Sequence, residues 1–327
     1  MAILRLSRSI SVLMLYVTLT FAGITIATAQ QFPTRPLRFI TAEAGGGADF
    51  VARIVGQYLG QSIGQQVIVE NQGGANGIIA AQSVMRAPAD GYVLLFYASN
   101  IWLLPTLQSN VPYDPIRDFA PVTLADRSPS ILVVHPTMPV RTPQELIALA
   151  RSRPGDINFG TGSTGAAPHL ATELFKLMTG VNIVRINFKG TGPAVTAVVG
   201  GQIHMMFATS GSVAGHVKSG RLRGLAVTSA QPSRLAPELP TLSSAGVPGY
   251  EADASHGFLV KAGTPEAIVS RLHQEIVKVL ANPELQSRFL VGGVESVGTT
   301  PAQFGASIRD DIVKWGKVAA AAGLKPE

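Results

Sequence analysis

Two glycine-rich loops are the places where this sequence could hold a ligand. The first, Ala44-Gly45-Gly46-Gly47-Ala48-Asp49, lies between an apolar run ending at Thr41 and a helical pattern. Glycines let the backbone turn sharply and present its amide hydrogens, and a helix start adds partial positive charge, so the chemistry on offer is anion binding. A second reading stays open here: a tight turn with Asp49 as N-cap and Arg53 as its salt partner four residues on. The second loop, Gly160-Thr161-Gly162-Ser163-Thr164-Gly165, has the letters of a dinucleotide fingerprint after a strand and before a helix. That fingerprint needs an acid about 20 residues further on to hold a ribose. Between Glu173 and Glu238 there is none, which leaves a hydroxyl- and amide-lined anion pocket.

The acid-free segment carries Lys176, Arg185, Lys189, Lys218, Arg221, Arg223 and Arg234, so its potential favours an anion. Lys189, between a strand and Gly190-Thr191-Gly192, is the one expected near a binding cleft. Hydrolysis finds no support, because Thr161 stands two residues before Ser163 where a nucleophile elbow requires glycine. The histidines show no metal-binding spacing, and no cofactor is expected. His169 adjoins the second loop; ligand contact and closure of the first helical turn are both open to it.

These loops must be held by α/β units, because short β-branched runs alternate with helical patterns from residue 37 onward. Strands are expected at Leu37 to Thr41, Gln66 to Glu70, Tyr92 to Tyr97, Ile131 to His135, Ile157 to Gly160, Ile183 to Phe188, Met205 to Ala208 and Leu222 to Thr228, in mostly parallel sheets. Helices are expected at Asp49 to Gly60, Pro143 to Arg151, Pro168 to Met178 and Gly192 to Val199. Thr142, Pro143 and Glu145 form a helix-start signature. Two helices, Pro265 to Ala281 and Pro301 to Ala322, are expected to close the chain, the first packing Ile268, Leu272, Ile276 and Val279 on a core. Pro- and Gly-rich passages, Val111 to Pro121 and Pro237 to Gly249, suggest a chain that leaves one lobe, builds a second and returns. The expected division is 30–127 with 251–327 for one lobe and 128–250 for the other.

Arg5 and Arg8, an apolar stretch from Ile10 to Ile26 and Ala27-Thr28-Ala29 read as a signal peptide over 1–29, with a mature chain in the periplasm. A membrane anchor is the competing reading, since the stretch approaches the roughly 20 residues of a bilayer span. Without cysteine there is no disulfide, thiolate metal site or lipid-modified cysteine. Removing Arg5 and Arg8 from the 26 basic residues leaves a mild excess over the 20 acids. So mild and scattered a charge, with 6% aromatic residues, argues against nucleic acid as partner.

Gly45 to Arg53, Gln66 to Asn71, Ala89 to Tyr92, Asp118 to Val122, Gly162-Ser163 with Pro168-His169-Leu170, Phe188-Lys189-Gly190, Gly200 to Gln202 and Leu225 to Ser229 together resemble the Bug family, the substrate-binding receptors of tripartite tricarboxylate transporters. The resemblance implies a two-lobed periplasmic-binding-protein fold of the Venus-flytrap type II class with two crossover strands. It also implies a monomer that binds a small carboxylate and passes it to two integral-membrane subunits. Main-chain amides of Gly46, Gly47 and Ala48 and of Gly162, Ser163 and Thr164 would hold one carboxylate. Ser99, Asn100, Thr209 and Ser210 would read the distal part of the ligand. The chain departs from the family pattern at Ala42-Glu43-Ala44, where prolines are usual, and at Ser255-His256, where an aromatic is usual. An exported hydrolase or isomerase on a similar scaffold is the alternative, as is a receptor that only signals ligand presence.

Overall fold

The computed structural model describes residues 32–161, 167–188 and 190–323. The chain divides into two units, Met1–Thr34 and Arg35–Glu327, and the architecture below is that of the second. The signal segment lies outside the described residues.

The first strand, β1 (Leu37–Thr41), is a run of apolar residues with Leu37, Phe39 and Ile40 fully buried. Near-continuous burial is what a parallel strand covered on both faces requires. Helix α1 (Gly47–Ile63) follows and buries Val51, Ala52, Val55 and Leu59 on one face; Gly64, at φ 66°, ends it in the left-handed region. Then come β2 (Val67–Asn71), α2 (Ile78–Arg86), β3 (Val93–Ala98) and α3 (Asn100–Leu107). A long strand, β4 (Phe119–Ser128), is separated by Pro129 alone from β5 (Ser130–Val134), which belongs to a second sheet. That sheet continues through α4 (Pro143–Ser152), β6 (Asn158–Thr161), α5 (Ala167–Thr179), β7 (Val184–Asn187), α6 (Thr191–Val199), β8 (Met205–Thr209), α7 (Ser210–Lys218) and β9 (Arg223–Val227). The chain returns to the first sheet as β10 (Ala254–Lys261) and ends in α8 (Glu266–Leu280), α9 (Pro283–Val291), β11 (Glu295–Ser296) and α10 (Pro301–Ala321).

The strand order is β11-β4-β10-β3-β1-β2 in the first sheet and β7-β6-β8-β5-β9 in the second. Both are mixed, which corrects the expectation of mostly parallel sheets. β1 pairs in parallel with β2 and β3, while β10 runs antiparallel between β3 and β4; β5 likewise runs antiparallel to β8 and β9. The antiparallel members are the crossover strands and their partners, so the reversal of direction accompanies passage between the sheets.

Local signals act at several helix starts, and the one expected at Thr142 is among them. Thr142 accepts a hydrogen bond from the Glu145 amide, with Pro143 opening α4. Thr300 and Gln303 form a reciprocal capping box at α10. The expected closing pair of helices is three, because Asn282 caps α9 through bonds from the Glu284 and Leu285 amides. On α8 it is Val269, not Ile268, that joins Leu272, Ile276 and Val279 in full burial. Under α1 the sheet is fastened by Phe39, Phe96 and Phe258, with Phe258 centroids 4.8 Å from Phe39 and 4.4 Å from Phe96. Burial of each ring contributes about 1.5–3 kcal/mol.

Candidate functional site

The loop after β1 delivers the chain to α1 with no side-chain cap. Gly46 is the N-cap, and the first helical bond runs from the Phe50 amide to the Gly46 carbonyl. The amides of Gly47, Ala48 and Asp49 therefore precede the helical ladder, the arrangement that suits an anion. Asp49 is not the cap but the third helical residue. Its carboxylate accepts from the Gly45 amide at 2.9 Å, from Asn71 Nδ2 at 2.8 Å and pairs with Arg53 Nε at 2.9 Å. Asn71 also donates to the Ala42 carbonyl and accepts from Arg53. Burial pushes the Asp49 carboxyl up, but the bonds from Arg53, Gly45 and Asn71 outweigh it and hold it below the usual range. The tight-turn reading and the open-amide reading thus describe one object: Asp49 and Arg53 brace the loop, and the amides of the helix start stay outside that brace. Glu43, exposed in the same loop, reaches the neighbouring turn and accepts from the Gly74 amide at 2.9 Å.

Of the second loop, Gly162, Ser163 and Thr164 lie outside the described residues, as does Lys189. Its flanks are defined. Thr161, buried at the end of β6, accepts from Arg185 Nε at 2.7 Å, and Arg185 also donates to Asn187. The sequence placed Arg185 only in a general positive field; β7 beside β6 brings it to the mouth of the second loop. His169, in the first turn of α5, is 2% exposed. Burial, then the charges of Arg185 and Lys176, push its pKa down to about 4. Its 3.8 Å approach to Glu173 is therefore no ion pair near neutrality, and Glu173 is paired instead with Lys176 at 2.8 Å.

Ser99 and Asn100 stand where β3 meets α3. The Ser99 carbonyl accepts from Trp102 and Leu103, its amide donates to the Ser255 carbonyl at 2.9 Å, and Asn100 Nδ2 donates to the Asn76 carbonyl at 3.0 Å. Thr209 and Ser212 exchange bonds at the start of α7. Ser210 is buried, and its hydroxyl and amide both donate to the Pro129 carbonyl, at 2.8 and 3.1 Å. Its hydroxyl is committed to the crossover.

The crossover segments pair Ser128 with Ala254, Arg127 with Ser255 and Asp126 with His256. Thr228 Oγ1 accepts from the Ser130 amide at 2.7 Å and donates to Asp253 at 2.9 Å. Burial drives the Asp253 carboxyl up to about 6, against the Thr228 bond and Arg127, 4.0 Å away. His256 Nδ1 lies 2.8 Å from Asp126 Oδ1. Burial lowers the His256 pKa, yet the charge and hydrogen bond of Asp126 outweigh it and raise it above the ordinary value. Asp126, fully buried, was missed by the sequence reading because it breaks the apolar pattern of β4 and its partner is distant in sequence.

Among the described residues no group of three or more acids, histidines or cysteines could hold a metal, and no helix is long and apolar enough to cross a membrane. Residues 51–324 match the family described as Tripartite tricarboxylate transporter family receptor. Protein BugT of Bordetella pertussis is 34% identical over 318 residues, which cover 94% of this chain and 98% of that protein. Among solved structures, R. palustris Rpa4515 with adipate is 33% identical with a TM-score of 0.75, covering 90% of this chain and all of that one. MatC from Rhodopseudomonas palustris with bound malate is 26% identical with a TM-score of 0.70, covering 88% of this chain and 99% of that one.

Proposed function

This chain belongs to the tripartite tricarboxylate transporter receptor family, and we propose that its ligand is a small dicarboxylate held by main-chain amides of the two glycine-rich loops. It is a solute receptor, not an enzyme, in a periplasmic family that works with membrane transporter components. The observation that carries the carboxylate assignment is the uncapped start of α1, with the Gly47 and Ala48 amides outside the helical ladder and the loop braced by Asp49, Arg53 and Asn71. The adipate and malate bound by similar proteins support the ligand class.

In this reading 30–127 with 251–327 form one lobe and 128–250 the other, with the ligand between them. Gly46, Gly47 and Ala48 face Gly162, Ser163 and Thr164 across the cleft, while Ser99, Asn100 and Thr209 read the distal end. Residues 1–29 direct export and are removed, and the mature chain, a monomer in the periplasm, docks on two integral-membrane subunits. Each helix start contributes about 0.3 to 2 kcal/mol to carboxylate binding in such geometry, and a hydrogen bond to a charged group about 1.5 to 3 kcal/mol. No arginine clamp is then required.

Titration calorimetry against succinate, malate, adipate and their monoacid counterparts is the test. The expected result is one equivalent of a dicarboxylate bound and recovered unchanged. Binding of monoacids with equal affinity, or of none of the dicarboxylates, would reject the ligand class.

A further inference from the structure

The first glycine-rich loop has a neighbour that its own segment does not supply. β10 enters the first sheet at the edge where β1 and β3 end, so His256 stands opposite Ala98, one residue before Ser99. Its ring stacks on Phe96 with centroids 5.8 Å apart, and its Cε1 edge faces Gly47: a Cβ built on that glycine would lie 4.0 Å from Cε1. Nδ1 is bonded to Asp126, and Nε2, next to Cε1 in the ring, has no partner among the described residues. His256 is 9% exposed, Asp126 is 0% exposed, and Asp126 Oδ2 has no hydrogen-bond partner among the described residues. A buried carboxylate is stabilised by a cation beside it, and the imidazole, 2.8 Å from Oδ1, is the group within bonding distance.

We propose that His256, oriented by and paired with Asp126, donates from Nε2 to a ligand carboxylate at the start of α1 and is a specificity-determining residue of this receptor. The assignment rests on the carboxylate reading above. A helix start and an imidazolium would ordinarily repel each other, and a bound carboxylate satisfies both at once. Asp126 fixes the ring so that the donor is aimed before ligand arrives.

Among the described residues, the charged groups around the ring leave Asp126 as the one that acts on it. On β4, Arg127 points to Asp253 at 4.0 Å. On α1, Asp49 is paired with Arg53, and in the loop before it Glu43 is bonded to the Gly74 amide. On the return segment Asp253 is bonded to Thr228. β3 contributes Phe96 and Ala98, which carry no charge. The raised pKa of His256 agrees with this arrangement. Affinity should be constant while the ring is protonated and fall as pH rises through its pKa.

The experiment is titration calorimetry with adipate and malate from pH 5.5 to 9 on the wild type, His256→Gln and His256→Phe, with the imidazole resonances followed by NMR. In the wild type affinity should fall about tenfold to a hundredfold over the range, the value of one charged hydrogen bond. His256→Gln, a neutral side chain of similar reach, should bind weakly with a flat profile, and His256→Phe more weakly still. The resonances missing from the His256→Gln spectrum should titrate above the ordinary histidine range and shift further upward with ligand. A His256→Gln variant with the wild-type affinity and pH profile would overturn the assignment and leave the receptor reading standing. Failure of the wild type to bind either acid would overturn both.

Discussion

His169 opens α5 beside the second glycine-rich loop and His256 sits on β10 beneath the first, each almost wholly buried, but with surroundings of opposite sign. Arg185 and Lys176 face His169, and the ring is neutral down to a pH of about 4. Asp126 faces His256, and that ring holds its proton above the ordinary value. Burial acts on both in the same direction, against charge, so the neighbour decides. The two edges of the proposed cleft are thereby built differently: the first adds a cationic donor to a helix start, while the second keeps its histidine neutral and leaves positive charge to Arg185, bonded to Thr161.

The largest expected effect comes from supplying the first loop with a carboxylate of its own. Gly47→Asp places an acid at the start of α1, in ordinary contact range of His256 Cε1. It competes for the imidazolium and the free amides and repels the ligand, so binding of adipate and malate should drop more than about a hundredfold, beyond calorimetric detection. Gly47 is not in the left-handed region, so the fold and its melting temperature should stay near wild type. Retained binding would show that the helix start does not face the ligand.

Next in size is a pair of stability effects that oppose each other. The folded-state pKa of His169 is lowered, so the stability it confers is present above the ordinary 6.5 and lost as pH falls towards about 4. The pKa of Asp253 is raised, so its contribution is present below the ordinary 3.8 and lost as pH rises through about 6. At about 1.36 kcal/mol per unit, each amounts to about 3 kcal/mol. The wild type should hold nearly level between pH 4 and 6 as far as these two groups go. His169→Gln should lose stability as pH rises across that window, and Asp253→Asn should gain it, by urea unfolding at each pH. Superimposable profiles for the two variants would break the contrast between the buried groups.

What the sequence made legible follows from how far apart the deciding residues are. The α/β units and the glycine-rich loops are local: the apolar runs of β1 and β3, Thr142 with Pro143, and the glycines of the first loop each announce themselves within a few residues. β4 did not, because Pro121, Asp126 and Arg127 interrupt its pattern, and β10 lies in a stretch that begins Ala-Ser-His-Gly. The brace on Asp49 was half visible, since Arg53 is one turn away and Asn71 arrives from β2. The charge of His256 was not visible, because its partner is 130 residues distant in sequence. The bond of Ser210 was not visible for the same reason, since the Pro129 carbonyl that takes up its hydroxyl is 81 residues away.

The smallest expected effect concerns Glu43, the acid that departs from the usual prolines in the first loop. Its exposed carboxylate accepts from the Gly74 amide, and a side chain at Gly73 would collide with it, so it is held near the start of α1. Glu43→Gln keeps an acceptor for Gly74 and removes one negative charge from the approach to the His256 side of the cleft. Through solvent such a charge is worth well under about 1 kcal/mol and is screened over about 10 Å at 0.1 M salt. Dicarboxylate affinity should therefore rise about twofold at low ionic strength, with no change at 0.5 M salt, when measured by titration calorimetry. The same substitution in a His256→Gln background should give the same small gain, because the field of Glu43 acts on the ligand and the imidazole is paired with Asp126. A gain that disappears in that background would mean that Glu43 works through the histidine, and the first edge of the cleft would then contain two acids competing for one cation.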